Sequence, residues 1–328
     1  MVSRFRDEDV LDGGAPRPHD EVRAFLARTP PPLNPWSADV ADVRADVRAH
    51  VLAVTGALVP VASVETVDAG GVAARLYRPE HEAGGVLVWA HGGGWTYGDL
   101  DTCEGVARAL ADRAGCAVLA LDYRLAPEHP FPAAFDDTWS AVEWAGRRFD
   151  AVAVGGDSSG GNLAAAAALK ARDRGVPLAA QLLVYPVLDS TPDTEFKLGY
   201  VERYARFAGQ PGYGSNTYER LQHVWATYVP DRAARTAPYA SPSHAVDLAG
   251  VAPAVIVTAE HDFLRGEADE YAARLAAAGV PVERHEYAGQ IHGFFEMFTV
   301  LTDAHRAVST VAATLRRAFH DVRPTKET

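Results

Sequence analysis

Six short runs, most of them apolar on consecutive residues, constrain this chain more than any other feature. They are VLVWA (86–90), CAVLALDY (116–123), AVAVG (151–155), QLLVYP (181–186), AVIVT (254–258) and VERHEY (282–287). A strand without polar/apolar alternation must be covered on both faces, which is the property of a parallel sheet sandwiched between helices. Upstream, VASVETV (61–67) and GVAARLY (71–77) flank Asp68-Ala69-Gly70, the pattern of a hairpin loop. The expectation is an α/β chain with a mostly parallel, eight-stranded sheet and helices on both faces.

The helices between these runs carry their own punctuation. In TCEGVARALADRAG, Asp101 and Glu104 fit a capping box and Gly115 a stop. NLAAAAALKARDRG ends at Gly175, and EADEYAARLAAAG ends at Gly279 with Pro281 just beyond. Two regions break the alternation. Residues 1–55 hold two amphipathic patterns (Val22, Phe25, Leu26, then Val40, Val43, Val47, Val51) split by TPPPLNP, and residues 189–245 insert an aromatic, Gly-rich stretch between two strands. The chain is therefore divided as 1–55, 56–188, 189–245 and 246–328, the two parts of a strand-and-helix core alternating with the two exceptional segments.

Composition narrows the function classes. With 328 residues and 48% hydrophobic content the chain can bury a sizeable core. A formal net charge of -12 argues against a nucleic-acid partner, whose phosphates would need a basic surface. The amino terminus MVSRFRDEDVLDGG lacks a signal peptide's apolar core, and no apolar run approaches the roughly 18 residues of a membrane span, so a cytoplasmic location is expected. Cys103 and Cys116 read as packing residues, and the twelve histidines show no metal-ligand spacing, so neither metal nor cofactor is expected.

The chemistry is concentrated in AVAVGGDSSGGN (151–162), where an apolar strand collides with small and polar residues. Gly156-Asp157-Ser158-Ser159-Gly160 fits G-x-S-x-G, a sharp strand-to-helix turn that exposes a serine hydroxyl. A serine needs a histidine to take its proton and a carboxylate to orient that histidine. Downstream, Asp262 follows the AVIVT strand and His292 follows VERHEY, both at carboxyl ends of strands, where an open parallel sheet places its site. Glu260 and Asp269 compete with Asp262 for the acid's role. His91-Gly92-Gly93-Gly94 directly after VLVWA supplies glycines whose N–H groups can face a developing oxyanion, with donors assigned to Gly93, Gly94 and Ser159. His91 reads as a structural hydrogen-bonding residue, and His261 and His285 as surface or strand-edge residues.

Taken in order, HGGGWTYGDLDT, LDYRLAPEHPFPAAFDD, GGDSSGGN, LVYPVLD, TAEHDFLRGEADEYAARLAAAGVPV and GQIHGF resemble the hormone-sensitive-lipase family of α/β-hydrolases, the family IV carboxylesterases, over roughly residues 60–295. The resemblance implies a triad of Ser158, Asp262 and His292, a helical cap made of the amino terminus and the 189–245 insertion, a small-molecule ester as substrate, and a homodimer through the last strand's edge. Three departures stand out: Ser159 where Gly-Asp-Ser-Ala-Gly has alanine, Asp262-Phe263-Leu264-Arg265-Gly266-Glu267 where the family reads Asp-Pro-Leu-Arg-Asp-Glu, and a longer insertion. Within it, Tyr200, Tyr204, Phe207 and Tyr213, together with Trp95, are candidate pocket residues, and the glycines around Pro211 fit either a packed loop or a moving lid. The expected activity is hydrolysis of short- to medium-chain esters through an acyl-enzyme. The alternatives are a deacylase or amidase of one metabolite with the same machinery, and a non-catalytic receptor on the same scaffold, which the retained His292 disfavours.

Overall fold

A computed structural model describes residues 18–28, 39–82, 84–204 and 217–322. Helices α1 (Asp20–Arg28) and α2 (Val40–Thr55) come first, followed by β1 (Ser63–Asp68), β2 (Ala73–Arg78) and β3 (Val86–Ala90). Next are α3 (Glu104–Ala114), β4 (Ala117–Leu121), α4 (Ala133–Gly146), β5 (Val152–Asp157), α5 (Ser159–Arg174) and β6 (Ala180–Val184). Then α6 (Glu195–Tyr204) and α7 (Thr217–Tyr228) precede β7 (Ala254–His261), α8 (Arg265–Ala277), β8 (Val282–Ile291) and α9 (Thr302–Val322).

The eight strands form one sheet in the order β1-β2-β4-β3-β5-β6-β7-β8. β2 runs antiparallel to both β1 and β4, and every other neighbouring pair is parallel. β3, β4, β5 and β6 are buried at every position, as continuous apolar runs covered on both faces require. One face packs against α4, α5 and α8, the other against α3 and α9. β3 pairs with β4 on one side and β5 on the other, so the strand order reverses between β3 and β5. The carboxyl ends of β3 and β5, where the order reverses, are where an open α/β sheet places its site.

Some local expectations are corrected. Asp101 and Glu104 do not form a capping box: Cys103 holds the cap position of α3 without a side-chain bond, and the Asp101 carboxylate is taken by Arg48 and Arg75. An ion pair to two arginines outweighs a single capping bond. β8 continues past Tyr287 to Ile291, because β7 itself continues past Thr258, with a register shift between Ala259 and His261, and His261 pairs with Ile291. This buries His261, which is 2% exposed and not at the surface. His285 is part-exposed on β8 and bonded to Glu283 at 2.8 Å, as a strand-edge residue would be.

α1 is fastened to the carboxyl-terminal part of β8 and the start of α9, and α2 to the segment just before α9. His19 N–H donates to the Gly289 carbonyl, Glu21 accepts from the Thr302 N–H and hydroxyl, and Thr299 donates twice to the Val54 carbonyl. α6 and α7 belong to the stretch between β6 and β7. Phe207 and Tyr213 lie outside the described residues, as does the stretch around Pro211, and the side chains of Tyr200 and Tyr204 do too, though their backbone is in α6.

Candidate active site

The turn from β5 into α5 is tight because glycines surround it. A Cβ on Gly156 would stand 2.4 Å from the Ala90 carbonyl oxygen, and one on Gly160 only 2.0 Å from it. α5 can therefore pack this closely across the end of β3 only without side chains at these two positions. Ser158 sits between them at φ 53° and ψ -116°, a left-handed conformation that non-glycine residues rarely adopt. The turn is pinned on both sides: Ser158 N–H donates to the Val184 carbonyl, and the Ser158 carbonyl accepts from Val187 and Asn162. The hydroxyl is thereby presented at the top of the sheet.

Two more strand ends bring the remaining groups. His292 Nε2 lies 3.0 Å from Ser158 Oγ, and His292 Nδ1 lies 2.8 Å from Asp262 Oδ2. Asp262, 2% exposed, receives the Leu264 N–H on Oδ1, so its second oxygen is aimed at the imidazole. Since Asp262 accepts, Nδ1 carries the proton and Nε2 is left to accept the serine's. Burial disfavours the charged imidazole, but the charge and hydrogen bond of Asp262 outweigh it and raise the His292 pKa above the ordinary value. Asp157 pushes the same way and Arg220 opposes. Of the competing carboxylates, Glu260 is spent on the Gly289 N–H at 2.7 Å, and Asp269 on Arg284.

The 91–97 loop is shaped to present main chain. Gly93 has φ 120°, and a Cβ there would stand 2.1 Å from the Tyr97 carbonyl oxygen. Among the described residues the Gly93, Gly94 and Ser159 N–H groups donate to no protein acceptor, and Ser159 N–H lies in the first turn of α5, where helix amides point outward. His91 is buried and stacked on Tyr123 at 4.4 Å, with Nδ1 2.7 Å from the Gly92 carbonyl oxygen. Burial lowers its pKa, so it is a neutral structural donor. Asp157 Oδ1 receives the Gly92 N–H at 2.9 Å, tying the loop to the elbow. Burial pushes Asp157 up to about 6, against that bond. Glu296, hydrogen-bonded to Asp157, is pushed well above the usual carboxylate range by burial and by Asp157's charge, so the two carboxyls titrate as a pair.

The departures from the family pattern acquire physical reasons. The Ser159 side chain is fully buried, and its Oγ accepts the Trp95 N–H at 3.2 Å, so the extra hydroxyl fastens the glycine loop to the elbow. Gly266 makes room for α6: a Cβ there would stand 2.3 Å from the Phe196 ring, over which Arg265 also lies at 5.5 Å. Trp95 is itself fully buried, stacked at 4.1 Å on Tyr228 and 5.0 Å from Trp225. It therefore does not face an open pocket, and instead seats α7 on the loop.

Two groups escaped the sequence reading. Lys197 in α6, 1% exposed, donates to the Asp189 and Thr191 carbonyls, with Glu267 3.8 Å away. Glu267 accepts the Leu188 and Asp189 N–H groups, and burial pushes it up to about 8. Arg220 in α7 reaches the Tyr97 hydroxyl. Neither has a local signature, since a lysine or arginine in a polar helix looks solvated until its neighbours are known. No cluster of metal-ligating side chains occurs among the described residues, and none of their helices is long and apolar enough to cross a membrane.

Comparison with known proteins shows the family and the fold. A family model described as alpha/beta hydrolase fold matches residues 87–296. The carboxylesterase NlhH of Mycobacterium tuberculosis is 38% identical over 261 residues, covering 72% of this chain and 74% of its own length. LipN, a carboxylic ester hydrolase of the same organism, is 39% identical over 284 residues, covering 79% and 71%. The structure of a hyperthermophilic esterase from Pyrobaculum calidifontis superposes with a TM-score of 0.82 at 33% identity, over 94% of this chain and 100% of that one. The chain belongs to the hormone-sensitive-lipase-like, family IV carboxylesterases of the α/β-hydrolase fold, and it is a carboxylic ester hydrolase of the serine type.

Proposed function

We propose that Ser158 is the nucleophile, His292 the general base and acid, and Asp262 the residue that orients His292, with the Gly93, Gly94 and Ser159 amides holding the oxyanion. The observation that carries this is the continuous hydrogen-bond chain from Ser158 Oγ through His292 to buried Asp262. As Ser158 Oγ attacks the ester carbonyl, its proton passes to His292 Nε2, and the imidazolium formed is stabilised by Asp262. The carbonyl oxygen gains a full negative charge beside main-chain donors and the amino end of α5. Collapse expels the alcohol, which takes the proton back from His292 and leaves the acyl group on Ser158. Water then repeats the sequence, and the acid departs.

The preferred substrates in this reading have short to medium acyl chains. Support comes from α7, whose Val224 would stand 3.1 Å from a Cβ on Gly94, so the helix roofs the oxyanion loop and limits the room above it. α1 and α2 with the 189–245 insertion form the cap. Arg44 of α2 supports this assignment by bonding the Thr96 carbonyl and Glu128 beside the same loop. A cytoplasmic enzyme and a dimer through β8, which is an end strand of the sheet, complete the proposal.

The test is incubation with a serine-directed fluorophosphonate and mass spectrometry of the modified peptide. Labelling at Ser158 that Ser158→Ala and His292→Ala both prevent is the expected outcome. Stoichiometric labelling elsewhere would reassign the nucleophile. Light scattering across concentration tests the dimer, and a monomer at all concentrations would remove it.

A further inference from the structure

Arg220 is the exception among the arginines that ring the glycine loop. Arg44 is neutralised by Glu128, Arg48 by Asp99 and Asp101, and Arg75 by Asp101 and Glu104. Other arginines without a carboxylate, such as Arg235 and Arg274, are held by main-chain carbonyls. Arg220 has no carboxylate partner among the described residues; its side-chain hydrogen bond goes to the neutral Tyr97 hydroxyl. Its position is set by a stripe at four-residue spacing along α7. Tyr228 stacks on Trp95, Val224 covers Gly94, and Arg220, the next member, stands at Tyr97.

Tyr97 in turn touches the oxyanion loop, its ring lying 2.8 Å from where a Cβ on Gly93 would be. The charge of Arg220 is felt at His292, whose side chain is 40% exposed. A half-buried guanidinium has five N–H donors in a planar fork that matches a carboxylate, and among the described residues a single phenol oxygen leaves most of them unused. We propose that Arg220, with the Tyr97 hydroxyl beside it, binds a carboxylate carried by the ester, so that the substrate class is a carboxylate-bearing ester. This inference rests on the serine esterase reading above and adds the charge of its substrate. The carboxylate can be on the acyl or the alcohol side, since both flank the oxyanion loop.

The test uses matched pairs in which a free carboxylate is compared with its neutral methyl ester. On the acyl side these are the 4-nitrophenyl monoester of succinic acid and the same compound as its methyl ester. On the alcohol side they are 3-carboxyphenyl butyrate and its methyl ester. The expected result in wild type is an acid-to-methyl-ester ratio of kcat/KM that falls as salt is raised, in one of the two arms. Arg220→Met lowers that ratio by about tenfold or more, and Arg220→Lys restores part of it, because a point charge replaces the lost charge without the fork. A ratio that Arg220→Met leaves unchanged in both arms, or a wild-type ratio indifferent to salt, overturns the proposal and leaves Arg220 as a packing residue. The salt dependence needs no variant, so a poorly folded Arg220→Met does not spare the idea. Fluorophosphonate labelling of Ser158 run alongside separates the two readings. Labelling with a flat ratio rejects only the carboxylate site, and no labelling rejects the esterase assignment beneath it.

Discussion

The β5–α5 elbow and helix α7 both press on the 91–97 loop, yet they do so with different materials. The elbow meets it through main chain and small residues: Gly156 and Gly160 against the Ala90 carbonyl, Asp157 on the Gly92 N–H, Ser159 on the Trp95 N–H. α7 meets it through large side chains, Tyr228, Val224 and Arg220, reaching from one face of a helix. Main-chain contacts at 2.0–2.4 Å from a would-be Cβ leave no room for adjustment, whereas a rotamer change absorbs a side-chain substitution. On the proposed mechanism the chemistry is built on the unyielding side of the loop, and the proposed substrate contact on the adaptable side.

The largest effect expected from breaking the unyielding side is chemical. Ser158→Ala should reduce kcat by about 10⁴- to 10⁶-fold with native circular dichroism, because alanine removes the nucleophile without adding bulk. His292→Ala and Asp262→Asn should be severe as well, and combining them with Ser158→Ala should add little, since the three act as one unit. Single-turnover acylation measures this; near-normal acylation in the folded serine variant would refute the mechanism.

Next in size is Gly160→Ala, whose methyl group would enter the Ala90 carbonyl. A loss of about 3 kcal/mol in urea denaturation is expected, compared with about 1–2 kcal/mol for Val224→Ala on α7. Equal losses at the two sites would erase the contrast between them. Gly93→Ala tests the oxyanion loop itself: kcat should drop by about 10²-fold or more with a smaller change in KM. A raised KM with kcat intact would make Gly93 a pocket wall.

The smallest effect is a displaced pH profile. His292 must be neutral to accept the serine proton, and its pKa is raised above 6.5. With a neutral ester, kcat/KM should therefore rise with pH through a midpoint above 6.5 and level off beyond it. Arg220 opposes protonation of His292, so Arg220→Met should move that midpoint to higher pH. A midpoint that moves down would show that Arg220's charge does not reach the imidazole.

Much of this was legible before any coordinates, for reasons that differ by residue. The strands were legible because burial on both faces writes an unbroken apolar run, as in VLVWA and AVAVG. Ser158 and the glycines around it were legible because a tight turn restricts residue type over five consecutive positions. Asp262 was singled out from Glu260 and Asp269 by the family resemblance, and its bond to His292 fits that choice. His261 was misread because a register shift in β7, invisible in one strand's sequence, carries it inside. The Asp101-Glu104 capping box failed because two arginines, 53 and 26 residues away, claim the aspartate.

From the chain alone one could read which segments are strands and, through the family resemblance, which three residues to look for past their carboxyl ends. Those features rest on unbroken apolar runs and on short local motifs, which a stretch of chain carries within itself. How the remaining charges are paired could be seen only in three dimensions. Lys197 is buried beside Glu267, Asp157 leans on Glu296, and among the described residues Arg220 meets a tyrosine while Arg44 finds a carboxylate. An ion pair or its absence depends on distance in space between residues remote in the chain, and no pattern in the sequence around either partner records that distance.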